Sequence, residues 1–314
     1  MEGSKETTME TVLVKALSFI LIILCAYALK RAGVFCKEDN RIVMKLILNV
    51  TLPAAVVAGF SDYTRDLSLV LAAFLGFGLN IVMMFAGYLA AFRKSREEQT
   101  FNIVNYSGYN IGTFAMPYLQ SFLGNTGTIV ACIFDAGNAL MCTGLTYAFA
   151  AGFCGKQVER GPGAFAARLF ASVPFDAYGI MLVLYVLDVH LPEPVYRIAS
   201  AFGSGNAFLA MFMIGLAFEL KLERDQVRDV VRALIIRFGC AAVFALGIYY
   251  LTPWSRTVRQ TLALIVFAPV SAMTVINTQR CGGDTEKAGV ISSLSILTGI
   301  IMITSLVVRW NLSQ

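Results

Sequence analysis

The chain has 314 residues, of which 57% are hydrophobic and 14% are charged, and its mean hydropathy is +0.70. Soluble domains of this size carry far more charge, so the composition predicts an integral membrane protein. It excludes a secreted disulfide scaffold, a nucleic-acid binder and an ordinary soluble enzyme, because the net charge of +5 comes from residues scattered between apolar segments.

Ten apolar segments are predicted as membrane-spanning helices, since each is close to the about 20 residues that cross a hydrocarbon core. In chain order they cover residues 11–30, 40–60, 67–92, 99–123, 127–152, 166–188, 195–219, 228–251, 258–279 and 287–308. The first segment is interpreted as a helix and not as a removable signal peptide, because acidic residues precede it and no clear cleavage site follows it.

Positive charges in the links between segments predict the orientation of the helices. Most of the 25 Lys and Arg residues fall in links on one side, including Arg228, Arg232 and Arg237 around the start of the eighth segment. Lys and Arg accumulate in short cytoplasmic loops, so this side is predicted to be cytoplasmic. We therefore expect a multi-pass protein of the cell membrane, plasma or inner, with both termini on the extracytoplasmic side.

The link 153–165 divides the chain into residues 1–152 and 166–314, each with five predicted helices. Five is an odd number, so a second repeat would enter the membrane with the opposite topology. Many secondary transporters build one central site from two such inverted repeats. The sequence therefore predicts an all-α fold of two inverted five-helix repeats joined by a cytoplasmic linker.

Polar and glycine-rich stretches with a proline interrupt the fourth and ninth segments. Proline removes a backbone donor that lipid cannot replace, so such backbone must line a protein cavity. A kink is the alternative at a single proline, but the matching positions in the two halves predict that both helices break at proline near the midplane. The exposed amides of half-helices attract anions, which predicts one shared anion-binding site. Its candidate residues are Asn105, Asn110, Gly112 and Pro117 in the fourth segment, and Pro269, Ser271 and Thr274 in the ninth.

Motifs along the chain resemble the auxin efflux carrier family, which includes plant PIN proteins and bacterial carriers of malonate and malate. The second segment ends its apolar stretch in Leu-Pro, the fourth has an asparagine seven residues before its proline, and the ninth and tenth contain glycine-aspartate and serine motifs. The stretches that carry the resemblance are Leu46–Pro53, Asn110–Gly124, Gln279–Asp284 and Ser292–Ser295.

The resemblance implies a fold similar to that of sodium/proton antiporters and bile-acid symporters, in which helices 4 and 9 cross. It also implies a scaffold domain beside a transport domain, each built from both repeats, and it assigns Asn110 to the substrate carboxylate. Homodimers are common for this architecture. Ala115 replaces a glycine that is usual in the family, and the long central loop of many plant members is missing, which favours a bacterial-type member.

Three ionisable residues are predicted inside the spans, where charged side chains are costly and face a cavity or a partner. Asp135 shares a helical face with Asn138, three residues further on, and its helix follows the predicted crossover. Asp135 is our candidate for coupling to Na+ or H+, and a structural carboxylate is the alternative. Asp176 lies near the middle of the sixth segment, two residues after Pro174. Lys15, near the start of the first segment, either extends to the outer interface or forms an ion pair with Asp176.

Asn49 and Asn206 are polar residues at related positions in the second and seventh segments, and each either caps the backbone or contributes to substrate binding. The chain has one histidine, and its seven cysteines form no C-x-x-C motif. We therefore expect no metal site and no cofactor. No Walker-type Gly-Lys-Ser/Thr motif is present, which argues against direct coupling to ATP.

Together these patterns predict a secondary active transporter of a small organic anion, such as malate, malonate or an auxin-like acid. Alternating access is the expected mechanism, by an elevator-like or rocking movement, of which the elevator-like form is preferred. A membrane receptor or sensor for such an anion is one alternative. A sodium-coupled symporter or a cation/proton antiporter of the same architecture is another. No constellation typical of an enzyme is apparent, so catalysis is not expected.

Overall fold

The computed structural model describes residues 2–36, 38–153, 162–218 and 226–312. These residues form fifteen α-helices and no strand. In chain order the helices are α1 Glu2–Arg31, α2 Asp39–Leu46, α3 Leu52–Gly59, α4 Leu71–Ala90, α5 Arg96–Tyr106, α6 Met116–Leu140, α7 Thr146–Phe153, α8 Pro162–Leu169, α9 Val173–Leu187, α10 Glu193–Gly203, α11 Asn206–Ala217, α12 Val227–Leu251, α13 Arg256–Ile265, α14 Met273–Arg280 and α15 Thr285–Trp310.

Wide π-helical turns join several of these helices into longer runs. They cover Ile47–Thr51 between α2 and α3, Ile111–Ala115 before α6, and Met141–Leu145 between α6 and α7. Such turns insert a residue into the helical register and frequently occur at functional sites. The second of these turns, Ile111–Ala115, begins the half-helix that follows Asn110.

Within the described residues, seven helical runs are long and apolar enough to cross a membrane. They extend over Val12–Arg31, Asp39–Gly59, Leu67–Ala90, Ile111–Phe153, Glu193–Ala217, Val227–Leu251 and Thr285–Trp310. The fold is therefore that of an all-helical, multi-pass membrane protein.

The predicted fourth, sixth and ninth segments do not form separate runs among these seven. The fourth and ninth are interrupted, and the sixth contains only the 15-residue helix α9 after a break from α8. The second part of the fourth segment is merged with the fifth into one run of 43 residues, which is bent at Gly124, where φ is 54°. Of the predicted linker 153–165, residues 154–161 lie outside the described residues.

Glycines allow several helices to pack with their backbones almost in contact. A Cβ added to Gly76 in α4 would lie 2.3 Å from the Phe134 carbonyl oxygen of α6, and one added to Gly137 would lie 1.8 Å from the Ala73 carbonyl oxygen. In the same way, Gly215 of α11 lies against Ile23 of α1. Small residues are the usual contact points between membrane helices, since they permit close van der Waals packing. These contacts fix α4 against α6, the helix that carries Asp135 and Asn138.

Candidate functional site

Two helices are interrupted at the centre of the structure, and their interruptions cross. α5 ends at Tyr106 and α13 ends at Ile265, and helical structure resumes at Ile111 and Met273. Between these ends the two chain segments run antiparallel, with an isolated bridge between Tyr109 and Val270. The Asn110 backbone N–H donates to the Pro269 carbonyl at 2.9 Å. The break and the crossing therefore form one hydrogen-bonded unit, which we call the crossover (residues 107–110 and 266–272).

The first break does not lie at Pro117, so the sequence-based position of this break is wrong. It lies at residues 107–110, where Gly108 has a φ of +82°, a conformation that favours glycine. Pro117 lies near the start of α6, directly after the π turn Ile111–Ala115. In the π turn the register of backbone hydrogen bonds changes. The N–H that Pro117 lacks is therefore tolerated without a break in the helix. Pro269 does lie within the second break.

Two buried asparagines satisfy the backbone of the first break. Asn80 of α4 accepts from the Gly108 N–H at 2.7 Å and donates to Asn138 Oδ1 at 3.0 Å. Asn138 of α6 accepts from the Tyr109 N–H at 3.1 Å and donates to the Tyr109 carbonyl at 2.9 Å. These side chains replace the helical partners that the break removes, as buried backbone requires.

Replacing Asn80 with alanine is expected to destabilise the protein by about 1–3 kcal/mol, because it leaves the buried Gly108 N–H without an acceptor. Thermal unfolding of the purified protein in detergent measures this effect. Asn125→Ala is the matched control, since Asn125 lies outside the crossover and its side chain donates to the Ser61 hydroxyl at 3.2 Å. Equal unfolding temperatures for the two variants would contradict the role assigned to Asn80.

The second break is held by a serine of α15. The Ser295 hydroxyl accepts from the Val270 N–H at 3.0 Å and donates to the Ser292 carbonyl at 2.7 Å. The two serines belong to the motif of the tenth predicted segment that resembles the auxin efflux carrier family. In this structure the motif supports the backbone of the crossover.

Arg237 is the side chain that binds both broken helices. It lies near the middle of the 25-residue helix α12 and is only 3% exposed. The prediction that Arg237 lies in a cytoplasmic link is therefore wrong. Its guanidinium donates to the carbonyls of three crossover residues and of Tyr106, the last residue of α5, and lies 5.0 Å from the centre of the Tyr109 ring. The acceptors are Tyr106 at 2.8 Å, Gly108 at 2.8 Å, Ala268 at 3.0 Å and Pro269 at 3.0 Å.

A cavity of about 400 Å³ lies beside the crossover. The first residues of three helical segments line it: Ile111 to Thr113 after the first break, Val173 to Phe175 at the start of α9, and Ser271 to Met273 at the start of α14. Helix N-termini carry partial positive charge and unpaired N–H groups, so their convergence favours an anionic ligand. The predicted site residues that line the cavity are Asn49, Asn110, Gly112, Asp135, Asn138 and Ser271.

Asp135 is the carboxylate of the cavity lining and is 7% exposed. Its Oδ1 accepts from Asn138 Nδ2 at 2.7 Å, so the predicted pairing on one helical face is present. A Cβ added to Gly112 would lie 2.8 Å from the Tyr178 hydroxyl oxygen and 3.8 Å from Asp135 Oδ2. Gly112, Asp135 and Tyr178 therefore border the same narrow part of the cavity.

Several predicted site residues lie outside the cavity lining and stabilise helix contacts instead. Asn105 donates to the Phe101 carbonyl at 2.9 Å and to the Thr278 hydroxyl at 3.0 Å, which links α5 to α14. Asn206 accepts from the Thr51 hydroxyl at 2.9 Å, which links α11 to the π turn of the second span. Thr274, Pro117 and Pro269 are also absent from the lining. Asn49 lines the cavity but donates to the Lys45 carbonyl at 2.7 Å.

The ionisable pair that the sequence allowed between Lys15 and Asp176 is not present. Lys15 Nζ donates to the Ser121 carbonyl at 2.8 Å, near the bend at Gly124. Asp176 lies in the first turn of α9 and not in the middle of a helix, because the chain is broken before Val173. A carboxylate in this position is stabilised by the positive end of the helix, although its Oδ1 is buried without a hydrogen bond.

Four residues of the site were missed by the sequence analysis: Thr113, Tyr178, Asn80 and Arg237. Asn80 was detectable from the sequence of α4. Apart from one tyrosine, it is the one polar residue of this helix, which otherwise contains apolar residues and glycines. Arg237 was detectable by its position in the predicted membrane span, because it is the tenth residue of the eighth segment. Thr113 and Tyr178 have no such signal, as threonine and tyrosine are ordinary residues of membrane helices.

The chain is similar in sequence to known membrane transport proteins. A family model described as membrane transport protein matches residues 11–162, which include the first break, Asn110 and Asp135. An uncharacterized transporter of Methanothermobacter thermautotrophicus is 26% identical over 260 residues, which cover 79% of each chain. The chain is similar in sequence to a transporter and has the apolar helices of a multi-pass membrane protein. The resemblance to the auxin efflux carrier family is thus confirmed over residues 11–162, where this chain matches the model of that membrane transport family.

Proposed function

We propose that this protein is a secondary active transporter that carries a small organic anion, such as malate, malonate or an auxin-like acid, by alternating access at the crossover. The observation that carries the proposal is the cavity of about 400 Å³ at which three helical segments begin. Three positive helix ends favour a carboxylate over a cation or a neutral solute. The volume suits a small ligand, since ligand pockets range from about 300 to 1,000 Å³.

Asn110 is the proposed contact of the substrate carboxylate. The Thr113 hydroxyl donates to Asn110 Oδ1 at 2.5 Å, which leaves the Asn110 amide nitrogen as a donor for a ligand in the cavity. Ser271 lines the same cavity at the start of α14, where its hydroxyl oxygen accepts from the Met273 N–H at 3.3 Å. The two residues come from the two broken helices, so one carboxylate can bridge them.

Asp135 is the proposed site of coupling. An ionised Asp135 would repel an anion bound in the same cavity, whereas a protonated Asp135 could donate a hydrogen bond to it. Binding of the anion and binding of a proton therefore favour each other. Such mutual dependence is what couples a substrate to an ion gradient.

The two broken helices support a fold of ten crossings in two inverted repeats. Each is the fourth of five helices when residues 1–152 and 166–314 are taken as repeats, and each is divided by a break into two helical segments. We expect an elevator-like movement of the crossover against a scaffold domain, in a cell membrane with both termini extracytoplasmic. Inverted repeats with discontinuous helices are the common basis of such alternating access.

The test is uptake into proteoliposomes of labelled mono- and dicarboxylates under imposed ion gradients. We expect flux of one carboxylate class, and Asn110→Ala should raise its KM by about a factor of ten or more, the equivalent of one charge-assisted hydrogen bond. Asn125→Ala is the matched control, because Asn125 does not line the cavity.

Other outcomes separate the competing functions. Saturable binding without flux under any gradient would favour a receptor for the anion. Flux of cations against protons, with no effect of carboxylates, would favour an antiporter. Unchanged flux in Asn110→Ala would show that the carboxylate binds elsewhere.

A further inference from the structure

We propose that Arg237 is the built-in counter-cation of the crossover, so that the protein needs no bound sodium ion at this position. This inference rests on the proposed anion transport and deepens it by identifying an ion that does not take part. The guanidinium lies where the negative ends of two helices meet. A side chain thereby supplies a charge that a soluble cation would otherwise have to supply.

The groups that Arg237 contacts are backbone carbonyls at the ends of two helices. Tyr106 is the last residue of α5, and Ala268 and Pro269 follow the end of α13, so the carbonyls that Arg237 contacts lie at helix C-termini. Helix C-termini carry partial negative charge and unpaired carbonyls. Two of them meeting in the membrane, without water, call for positive charge.

Arg237 has no carboxylate partner in the described part of the chain. The hydrogen bonds of its guanidinium to described residues all go to backbone carbonyls, at 2.8 to 3.0 Å. A buried guanidinium is normally paired with an acid. Here the helix ends replace that acid, so the arginine and the crossover neutralise each other.

The carbonyls that Arg237 binds are also the groups that would coordinate a sodium ion at this position. A sodium ion at the crossover would be coordinated by freed backbone carbonyls, as in other transporters with discontinuous helices. At this crossover the Pro269 carbonyl already accepts from both Arg237 and the Asn110 N–H. The Tyr106, Gly108 and Ala268 carbonyls also accept from Arg237, and its positive charge repels a second cation. The carbonyl set is therefore occupied by the protein itself.

The position also links Arg237 to the anion site. Its guanidinium fixes the Gly108 and Pro269 carbonyls, and the Pro269 carbonyl accepts from the N–H of Asn110. Arg237 does not line the cavity. We therefore regard it as a positioning residue, which acts on the substrate through Asn110.

The experiment measures thermal unfolding of the purified full-length protein in detergent, with sodium exchanged for choline at constant ionic strength. Wild type should unfold at the same temperature in both salts. Arg237→Ala should unfold at a lower temperature, and low, non-denaturing concentrations of guanidinium ion should raise it again, because the ion can refill the vacated position. Guanidinium should only lower the unfolding temperature of wild type and of Arg232→Ala.

Arg232→Ala is the matched control, since Arg232 lies on the same helix, is exposed and donates to the Ala90 carbonyl outside the crossover. Sodium-dependent stabilisation of wild type would overturn the proposal, and so would absence of guanidinium rescue in Arg237→Ala. If Arg237→Ala does not fold, Arg237→Lys replaces it. Lysine keeps the charge but has fewer donors, so the proposal expects lower stability than wild type, again without a response to sodium.

A transport readout distinguishes this inference from the function on which it rests. Flux of a carboxylate that persists when choline replaces sodium supports both. Flux that requires sodium would overturn the role of Arg237 and leave anion transport intact. Absence of carboxylate flux would count against the proposed function, whereas the unfolding measurements would still decide the role of Arg237.

Discussion

Replacing Asp135 with asparagine is expected to abolish proton-driven accumulation of the anion while anion exchange continues. Asparagine keeps the shape and an acceptor for Asn138 Nδ2, which lies 2.7 Å from Asp135 Oδ1, but it cannot gain or lose a proton. The neutral side chain resembles protonated Asp135, so the anion should still bind. Uptake driven by a pH gradient should fall by about a factor of ten or more, whereas exchange of labelled for unlabelled anion should stay within about a factor of three.

Asp176→Asn is the matched control for this prediction. Asp176 is the second carboxylate that the sequence placed inside a span; it is half-buried and lies in the first turn of α9, outside the cavity lining. Accumulation should persist in this variant. Loss of accumulation in Asp176→Asn but not in Asp135→Asn would transfer the coupling role to α9. Accumulation in both variants would make Asp135 a structural carboxylate.

The broken helices were predictable from the sequence because their cost in a membrane is high. Glycine, asparagine and proline in an apolar segment leave backbone groups that lipid cannot satisfy. This reasoning identified the fourth and ninth segments correctly as interrupted. It gave the wrong position for the first break, because it assigned the break to Pro117. The partners that allow the break at Gly108 are side chains of Asn80 and Asn138, which come from other helices.

The candidate site was predictable in part, for the same reason. Asn110, Ser271 and Asp135 lie in the predicted segments and line one cavity. Arg237 was assigned to a cytoplasmic link because loop positions are the usual place for arginine in a membrane protein. Its burial depends on carbonyls that only the crossing of two helices brings together. The depth of Arg237 in its segment indicates burial, but no local pattern identifies the carbonyls that it binds.

The packing of α4 against α6 sets the positions of Asn80 and Asn138. Replacing Gly76 at this contact is expected to have a large effect on stability. Gly76→Ala should destabilise the protein by about 1–3 kcal/mol or more, the cost of overpacking a close contact. The added Cβ would lie 2.3 Å from the Phe134 carbonyl oxygen and 3.3 Å from the Asn138 backbone nitrogen. Both are backbone atoms, so α4 and α6 must move apart as units. Thermal unfolding in detergent measures the loss.

Gly78→Ala separates this effect from the general effect of alanine in a helix. Gly78 lies two residues further along α4, about 200° around the helix, and a Cβ there would meet no atom within 4 Å. Alanine at position 78 should therefore be neutral or slightly stabilising, since glycine is the poorer helix former.

The separation of α4 from α6 in Gly76→Ala would also pull Asn80 away from Asn138, to which it donates a hydrogen bond of 3.0 Å. Gly76→Ala should consequently weaken anion binding as well, although residue 76 does not line the cavity. Equal stability and equal affinity in the two variants would mean that the crossover does not depend on this helix contact.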